Sequence, residues 1–362
     1  NHVRYVGGET TLRLTTDGPV GHILDERVFR LEEPLTLFLG PDEGFDSDVT
    51  STTRRMLRET TDYWRHWVRT LSVPLEWQAA VIRAAITLKL CAHEDTGAIV
   101  AALTTSIPEH AVDKGETARN WDYRYCWLRD AYYVVQALNR LGAADMLENY
   151  LTYLRNLVDQ VGASGRVQPV YGVGLEPVLT ERIEPHLAGY RGMGPVRVGN
   201  QAHEHMQYDV FGQIVLSTVQ AFFDERLIRP ATVEDFKALE PVGDRAFERH
   251  DKPDASLWEF RGREAVHTYS SVMCWAACDR LGNAAQKLGL RERADHWNGR
   301  AAKIRATIEH EAWNETLGRY ASTFGGDQLD ASLLQLLDVR YASPDNPRML
   351  ATMEAVEQGL RR

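Results

Sequence analysis

The chain has 362 residues, of which 25% are charged and 44% hydrophobic, with a net charge of −10. That length supplies ample apolar sequence for one large core or two smaller ones. Lys and Arg never run beyond doublets, which excludes the basic stripes of a nucleic-acid-binding surface. No run of about 18 apolar residues exists, so no membrane span is predicted.

Residues 1–50 read as strands. Val3 to Val6 and Thr10 to Thr15 carry β-branched and alternating residues, and Asp17-Gly18-Pro19 supplies turn chemistry. Arg27 to Leu31 and Leu35 to Leu39 are predicted as two further strands, closed by Gly40-Pro41-Asp42. Four strands are few for an independent sandwich, so we expect them to be the trailing part of a larger one.

From Ser51 the period changes to a helical one. Leu57, Tyr63, Trp64 and Trp67 sit among Arg and Glu, predicting a helical linker over 51–75, and an Ala-rich amphipathic pattern runs on from Glu76 to His93. Helical patterns recur over roughly 129–141, 144–160, 207–224, 233–249, 268–288, 290–311, 328–338 and 346–360. Ser343-Pro344-Asp345 is the predicted cap of the last. The longest loop is 162–206, and long loops in a helical domain usually carry function. Cys274 and Cys278, four residues apart in an apolar helical run, read as small buried hydrophobes.

Chemistry concentrates in Arg119-Asn120-Trp121-Asp122-Tyr123-Arg124-Tyr125-Cys126-Trp127-Leu128-Arg129-Asp130. Four aromatics, three arginines and two aspartates make a poor core, because buried charges need partners. They suit a sugar, whose C–H faces pack on aromatic rings while Arg and Asp bind its hydroxyls. An Arg–Asp network pinning a helix start accounts for the same composition. Later in the chain, Glu259 lies among Leu257, Trp258 and Phe260, partly shielded from water, the setting that a proton donor to a glycosidic oxygen needs. A surface glutamate paired with Arg261 or Arg263 is the alternative. His203-Glu204-His205 is not a metal pair, since i, i+2 side chains do not face each other on a helix. Glu176 and Glu181 read as loop carboxylates.

The segment from Trp121 to Asp130 resembles the signature of bacterial family 15 glycoside hydrolases. Thr104-Thr105-Ser106-Ile107-Pro108-Glu109 is similar to the family's approach to it, and Gly189-Tyr190-Arg191-Gly192 with Pro195 to Asn200 to its next active-site loop. Trp258-Glu259-Phe260-Arg261 resembles the acid-bearing loop, and Leu329-Asp330-Ala331-Ser332-Leu333-Leu334 a late helix. The resemblance runs through nearly the whole chain in the family's order.

It implies a mainly α protein, an (α/α)6 barrel over 76–362 that is incomplete in this chain, preceded over 1–50 by the tail of an N-terminal β-sandwich. By motif position Arg129 and Asp130 hold hydroxyls of the non-reducing glucose, and Tyr123 and Trp127 line the same subsite. Arg197 contacts sugar from the second loop, Trp258 binds the substrate beside the acid, and Glu259 is the general acid. The family inverts, which needs a second carboxylate to activate water. The resemblance places that base beyond Arg362. The expected activity is exo-acting hydrolysis of α-glucosides in the manner of a glucoamylase, releasing β-glucose, with α,α-trehalase or an isomalto-oligosaccharide glucohydrolase as alternatives. A non-catalytic carbohydrate-binding relative is the alternative of another class. The expected partner is an α-glucosidic oligo- or polysaccharide or trehalose, and no metal or organic cofactor is required.

Overall fold

The computed structural model describes residues 1–8, 10–110, 118–161 and 166–361. The chain divides into two compact units, Asn1–Leu71 and Ser72–Arg362. The start of the predicted 162–206 loop, residues 162–165, lies outside the described residues.

In the first unit β1 (His2–Gly7), β2 (Thr10–Thr16) and β3 (Leu37–Pro41) form an antiparallel sheet in that order, with Val3 opposite Leu14 and Leu14 opposite Leu39. Asp17, in the predicted turn, ties two later segments to the sheet: Oδ1 accepts from the Thr36 amide at 2.8 Å and Oδ2 from the Thr50 hydroxyl at 2.8 Å. Arg27 to Leu31 is not a strand. A five-residue helix, α1 (Val20–Leu24), precedes it, and Val28 and Leu31 are left fully and largely exposed. β-branched residues favour a strand only where they pack against a neighbouring one, and this stretch pairs with none among the described residues. The long helix α2 (Val49–Thr70) starts at Asp48, whose carboxylate accepts from the Ser51 amide.

The second unit is helical. Its strands are two-residue antiparallel pairs, and among the described residues no parallel sheet occurs. After α3 (Gln78–Leu90) come three helical hairpins: α4 (Leu128–Arg140) with α5 (Ala144–Val161), α6 (Asp209–Val219) with α7 (Val233–Arg249), and α8 (Thr268–Lys287) with α9 (Arg291–Glu311). The first members pack on one another in the sequence α4, α6, α8, and the second members lie outside them. This is the two-layered arc of an (α/α)6 barrel. The sequence shows why each helix takes its layer. Every residue of α6 is buried, and α8 is buried over most of its length, because an inner helix is covered by neighbours and by the outer layer. Gly212 permits the closest approach: a Cβ there meets the Met273 carbonyl oxygen of α8 at 2.5 Å. Cys274 and Cys278 are buried free thiols in α8.

The last helices are α10 (Gln335–Asp338) and α11 (Pro347–Leu360). The cap of α11 is Asn346, which accepts from the amides of Arg348 and Met349, and not the predicted Ser343-Pro344-Asp345. Pro347 at the first helical position costs no hydrogen bond, and that sets the start. The loops leading into α4, α6 and α8, within 118–127, 166–208 and 250–267, line one common cavity, which places the N-terminal ends of the inner helices at one end of the arc.

Candidate active site

A cavity of about 370 Å³ opens at that end. Its lining brings together Tyr123, Trp127, Arg129, Asp130, Trp258 and Glu259, although about 130 residues separate the two groups. Trp127 ends the two-residue strand β4 (Cys126–Trp127), which pairs with β5 (Val170–Tyr171). Behind it an apolar wall of Val170, Leu179 and Ala202 packs on its ring. Tyr123 is held from the facing loop: its amide donates to the Thr104 carbonyl at 3.0 Å, and its hydroxyl donates to Glu109. Burial and that carboxylate push the phenol pKa up, so Tyr123 stays protonated.

Arg129 and Asp130 occupy the first turn of α4. Arg129 donates to Gln207 Oε1 at 2.9 Å and faces three carboxylates: Glu259 at 3.4 Å, Asp130 at 3.6 Å and Asp209 at 3.8 Å. Burial opposes its charge, but the three anions outweigh burial and the guanidinium remains charged. One cation cannot neutralise three anions. Burial pushes Asp130 and Asp209 up from the ordinary carboxylate range, with Arg129 pulling the other way. Asp130 sits at the cavity base, yet 40% of its side-chain surface opens into the cavity. Asp209 is fully buried beneath it, bonded to Gln213 at 2.8 Å.

Glu259 has a quarter of its side chain exposed. Its Oε1 accepts from Trp127 Nε1 at 2.7 Å and from Arg129 Nη2 at 3.4 Å. The loop that carries it is built with some strain, for Ser256 and Glu259 both adopt left-handed φ angles of 66° and 58°. Such residues cost roughly 1–3 kcal/mol each and persist only when the surroundings hold them. The holder is Asp254, wholly buried, which accepts from the Tyr208 amide at 2.8 Å and the Ser256 amide at 3.1 Å. The Ala255 amide donates to the Met206 carbonyl, and the Phe260 amide returns to the Ala255 carbonyl, both at 2.9 Å. The Glu259 loop is thus tied to the segment that starts α6. Burial raises the Asp254 pKa to about 7.

Trp258 is 54% exposed and its indole turns to Asp330, donating at 2.6 Å. The ring that grips Glu259 is Trp127. Arg197 does not line the cavity. It lies over the Trp121 ring at 5.0 Å, pairs with Glu181 at 3.2 Å, and donates to the Asn120 carbonyl. Asp122 is buried and structural: it binds Arg124 and the Gly199 amide. Glu176 folds back onto the Gly174 amide. His203 bonds the Asn200 carbonyl, whereas His205 lines the cavity, and burial lowers its pKa.

The parts played by Gln207, Asp209, Asp254 and Glu109 are not legible in the sequence. Each lies in or next to a segment with its own motif, but a single Asp, Glu or Gln has no spacing signal. Asp130 Oδ2 and His205 Nδ1, both from residues that line the cavity, are buried polar atoms with no hydrogen-bond partner among the described residues. Such atoms demand partners, and a polyol both donates and accepts.

A two-layered arc of α-hairpins with a polar, aromatic-walled pocket where its inner helices begin defines a protein of the (α/α)6-barrel class. The chain belongs to glycoside hydrolase family 15, for the family described as Glycosyl hydrolases family 15 matches residues 77–362. It is 35% identical over 368 residues to the trehalase of Mycobacterium tuberculosis, which covers 97% of this chain and 51% of that protein. The trehalase of Thermoplasma acidophilum is 33% identical over 312 residues, with 84% and 50% covered. The chain thus spans about half the length of these relatives. Among solved structures, a bacterial glucoamylase complexed with acarbose has a TM-score of 0.64 at 16% identity, over 99% of this chain and 57% of that one. The glucoamylase of Saccharomycopsis fibuligera has a TM-score of 0.51 at 14% identity, over 76% and 61%. At such identities the two glucoamylases establish the fold.

Proposed function

We propose that residues 76–362 carry the glucose-binding and proton-donating part of an inverting α-glucosidase whose substrate is trehalose. Glu259, gripped by Trp127 and Arg129 over a pocket with polar atoms in search of hydroxyls, is the observation that carries the chemistry. Both donated bonds fall on Oε1. That leaves Oε2 to hold the proton and pass it to the glycosidic oxygen as the C1–O bond breaks. Arg129 and Asp130 fix the hydroxyls of the glucose being released, with Tyr123 and Trp127 against its ring. Fixing the sugar converts a chance encounter into a positioned one. Water then attacks C1 from the opposite face, and a second carboxylate takes its proton.

The choice of trehalose over the glucoamylase substrates first expected rests on the relatives at 33–35% identity, both named trehalase. Action on α-1,4-glucans is the second reading, supported by the fold shared with the bacterial glucoamylase.

The test is Glu259→Gln, which keeps size and hydrogen bonding but cannot give up a proton. We expect a loss of about 10²–10⁴-fold in kcat on trehalose and a much smaller loss on α-glucosyl fluoride, whose leaving group hardly needs protonation. Equal losses on the two would remove Glu259 from the role of acid.

A further inference from the structure

The glucose-holding residues lie deep in the cavity, with the Arg129 side chain only 15% exposed and Asp130 opening 40% of its side chain into the space. A leaving sugar, attached through the oxygen that Glu259 protonates, must therefore extend outward to the mouth. One side of the mouth is a built cluster. Trp121 lines it, with Arg261 over its ring at 4.5 Å and Arg197 at 5.0 Å. Both guanidinium groups close on the same carboxylate, Glu181, through different oxygens, Arg197 at 3.2 Å and Arg261 at 3.0 Å. Glu181 and Arg197 are more than four-fifths buried, so water screens this ion pair little. Neither arginine would rest beside the other without the shared anion. Arg261 spends only Nη2 on Glu181, while a guanidinium carries five N–H donors in a fixed fork, so donors remain for sugar hydroxyls. Arg119 joins the same lining.

We propose that Trp121 and Arg261 form the wall that seats the leaving sugar, and that Glu181 is its positioning residue, selecting a substrate with a second, neutral pyranose ring. This rests on the glycosidase reading above and deepens it from the reacting sugar to its neighbour. It also gives Arg197 a part: it braces the wall from behind the cavity.

The test compares ligands with and without the second ring. Dissociation constants for trehalose and for glucose are measured in the Glu259→Gln background with and without Glu181→Gln or Arg261→Ala, and kcat/KM for trehalose and for α-glucosyl fluoride on wild type, Glu181→Gln and Arg261→Ala. Loss of charged hydrogen bonds at the wall should weaken trehalose about tenfold in both variants, with a several-fold smaller effect on glucose and the fluoride. Equal weakening of both kinds of ligand would overturn the proposal, as would undiminished trehalose binding in either folded variant. If the wild type cleaves maltose or isomaltose and leaves trehalose untouched, the trehalose reading falls. The same comparison on the disaccharide that is cleaved then decides the wall independently.

Discussion

Glu259 owes its setting to residues that its own neighbourhood in the chain does not announce. The expectation from sequence was shielding by Leu257, Trp258 and Phe260, but Trp258 turns to Asp330 and Trp127 supplies the donor instead. Trp127→Phe removes that donor and keeps an aromatic ring. Loss of one hydrogen bond to a charged group is worth roughly 1.5–3 kcal/mol. We therefore expect kcat on trehalose to fall on the order of tenfold or more, with KM nearly constant, and unchanged kcat would show that the bond does not position the acid. Asp254 offers a test that needs no substrate. Its pKa is raised to about 7 from 3.8, so the folded state favours the protonated form. Its stabilising contribution is full below the unfolded pKa and is gone once pH has risen through about 7. Burial lowers the pKa values of His205, His267 and His296, which gives stability the opposite slope near neutrality; His205 and His296 contribute alike in wild type and Asp254→Asn, whereas His267 faces Asp254 at 4.0 Å and is followed separately by NMR in both proteins. The difference in denaturation midpoint between the two proteins should therefore shift against the wild type as pH rises from about 5 to about 7. A difference that stays constant would mean that Asp254 does not titrate in this range.

At the scale of elements, most of the fold was legible because helical periodicity reports packing directly. The expected helices over 144–160, 233–249 and 268–288 correspond to α5, α7 and α8 within a residue or so. What failed was local chemistry without packing: Arg27 to Leu31 has strand-like residues but no strand to pair with among the described residues, and the cap of α11 lay just past the predicted turn. The site was legible in part for a related reason. Arg129 and Asp130 stood out as charges in an aromatic run, whereas Asp209 and Gln207 needed the third dimension to meet Arg129. Gly212 shows what periodicity cannot display, a position where two inner helices touch through backbone. Gly212→Ala should destabilise by about 1–3 kcal/mol, despite the better helix propensity of Ala, and the unfolding midpoint in urea should drop. An unchanged or higher midpoint would mean that α6 and α8 are less closely packed there.

For the molecule as a whole, the arc of helical hairpins does one thing for chemistry: it gathers the N-terminal ends of three inner helices at one place. Asp130 and Asp209 lie in the first turns of α4 and α6, where helix dipoles favour negative charge. The loop that carries Glu259 leads into the third. The proposed mechanism is inverting, and trehalose reports that plainly because both of its anomeric carbons are α. The most direct measurement is ¹H NMR of trehalose during the first minutes of hydrolysis, before mutarotation. The account predicts α- and β-glucose in equal amounts, the β from the sugar attacked by water and the α from the one that leaves. Release of α-glucose alone, or an intact trehalose signal while another α-glucoside is consumed, would contradict it.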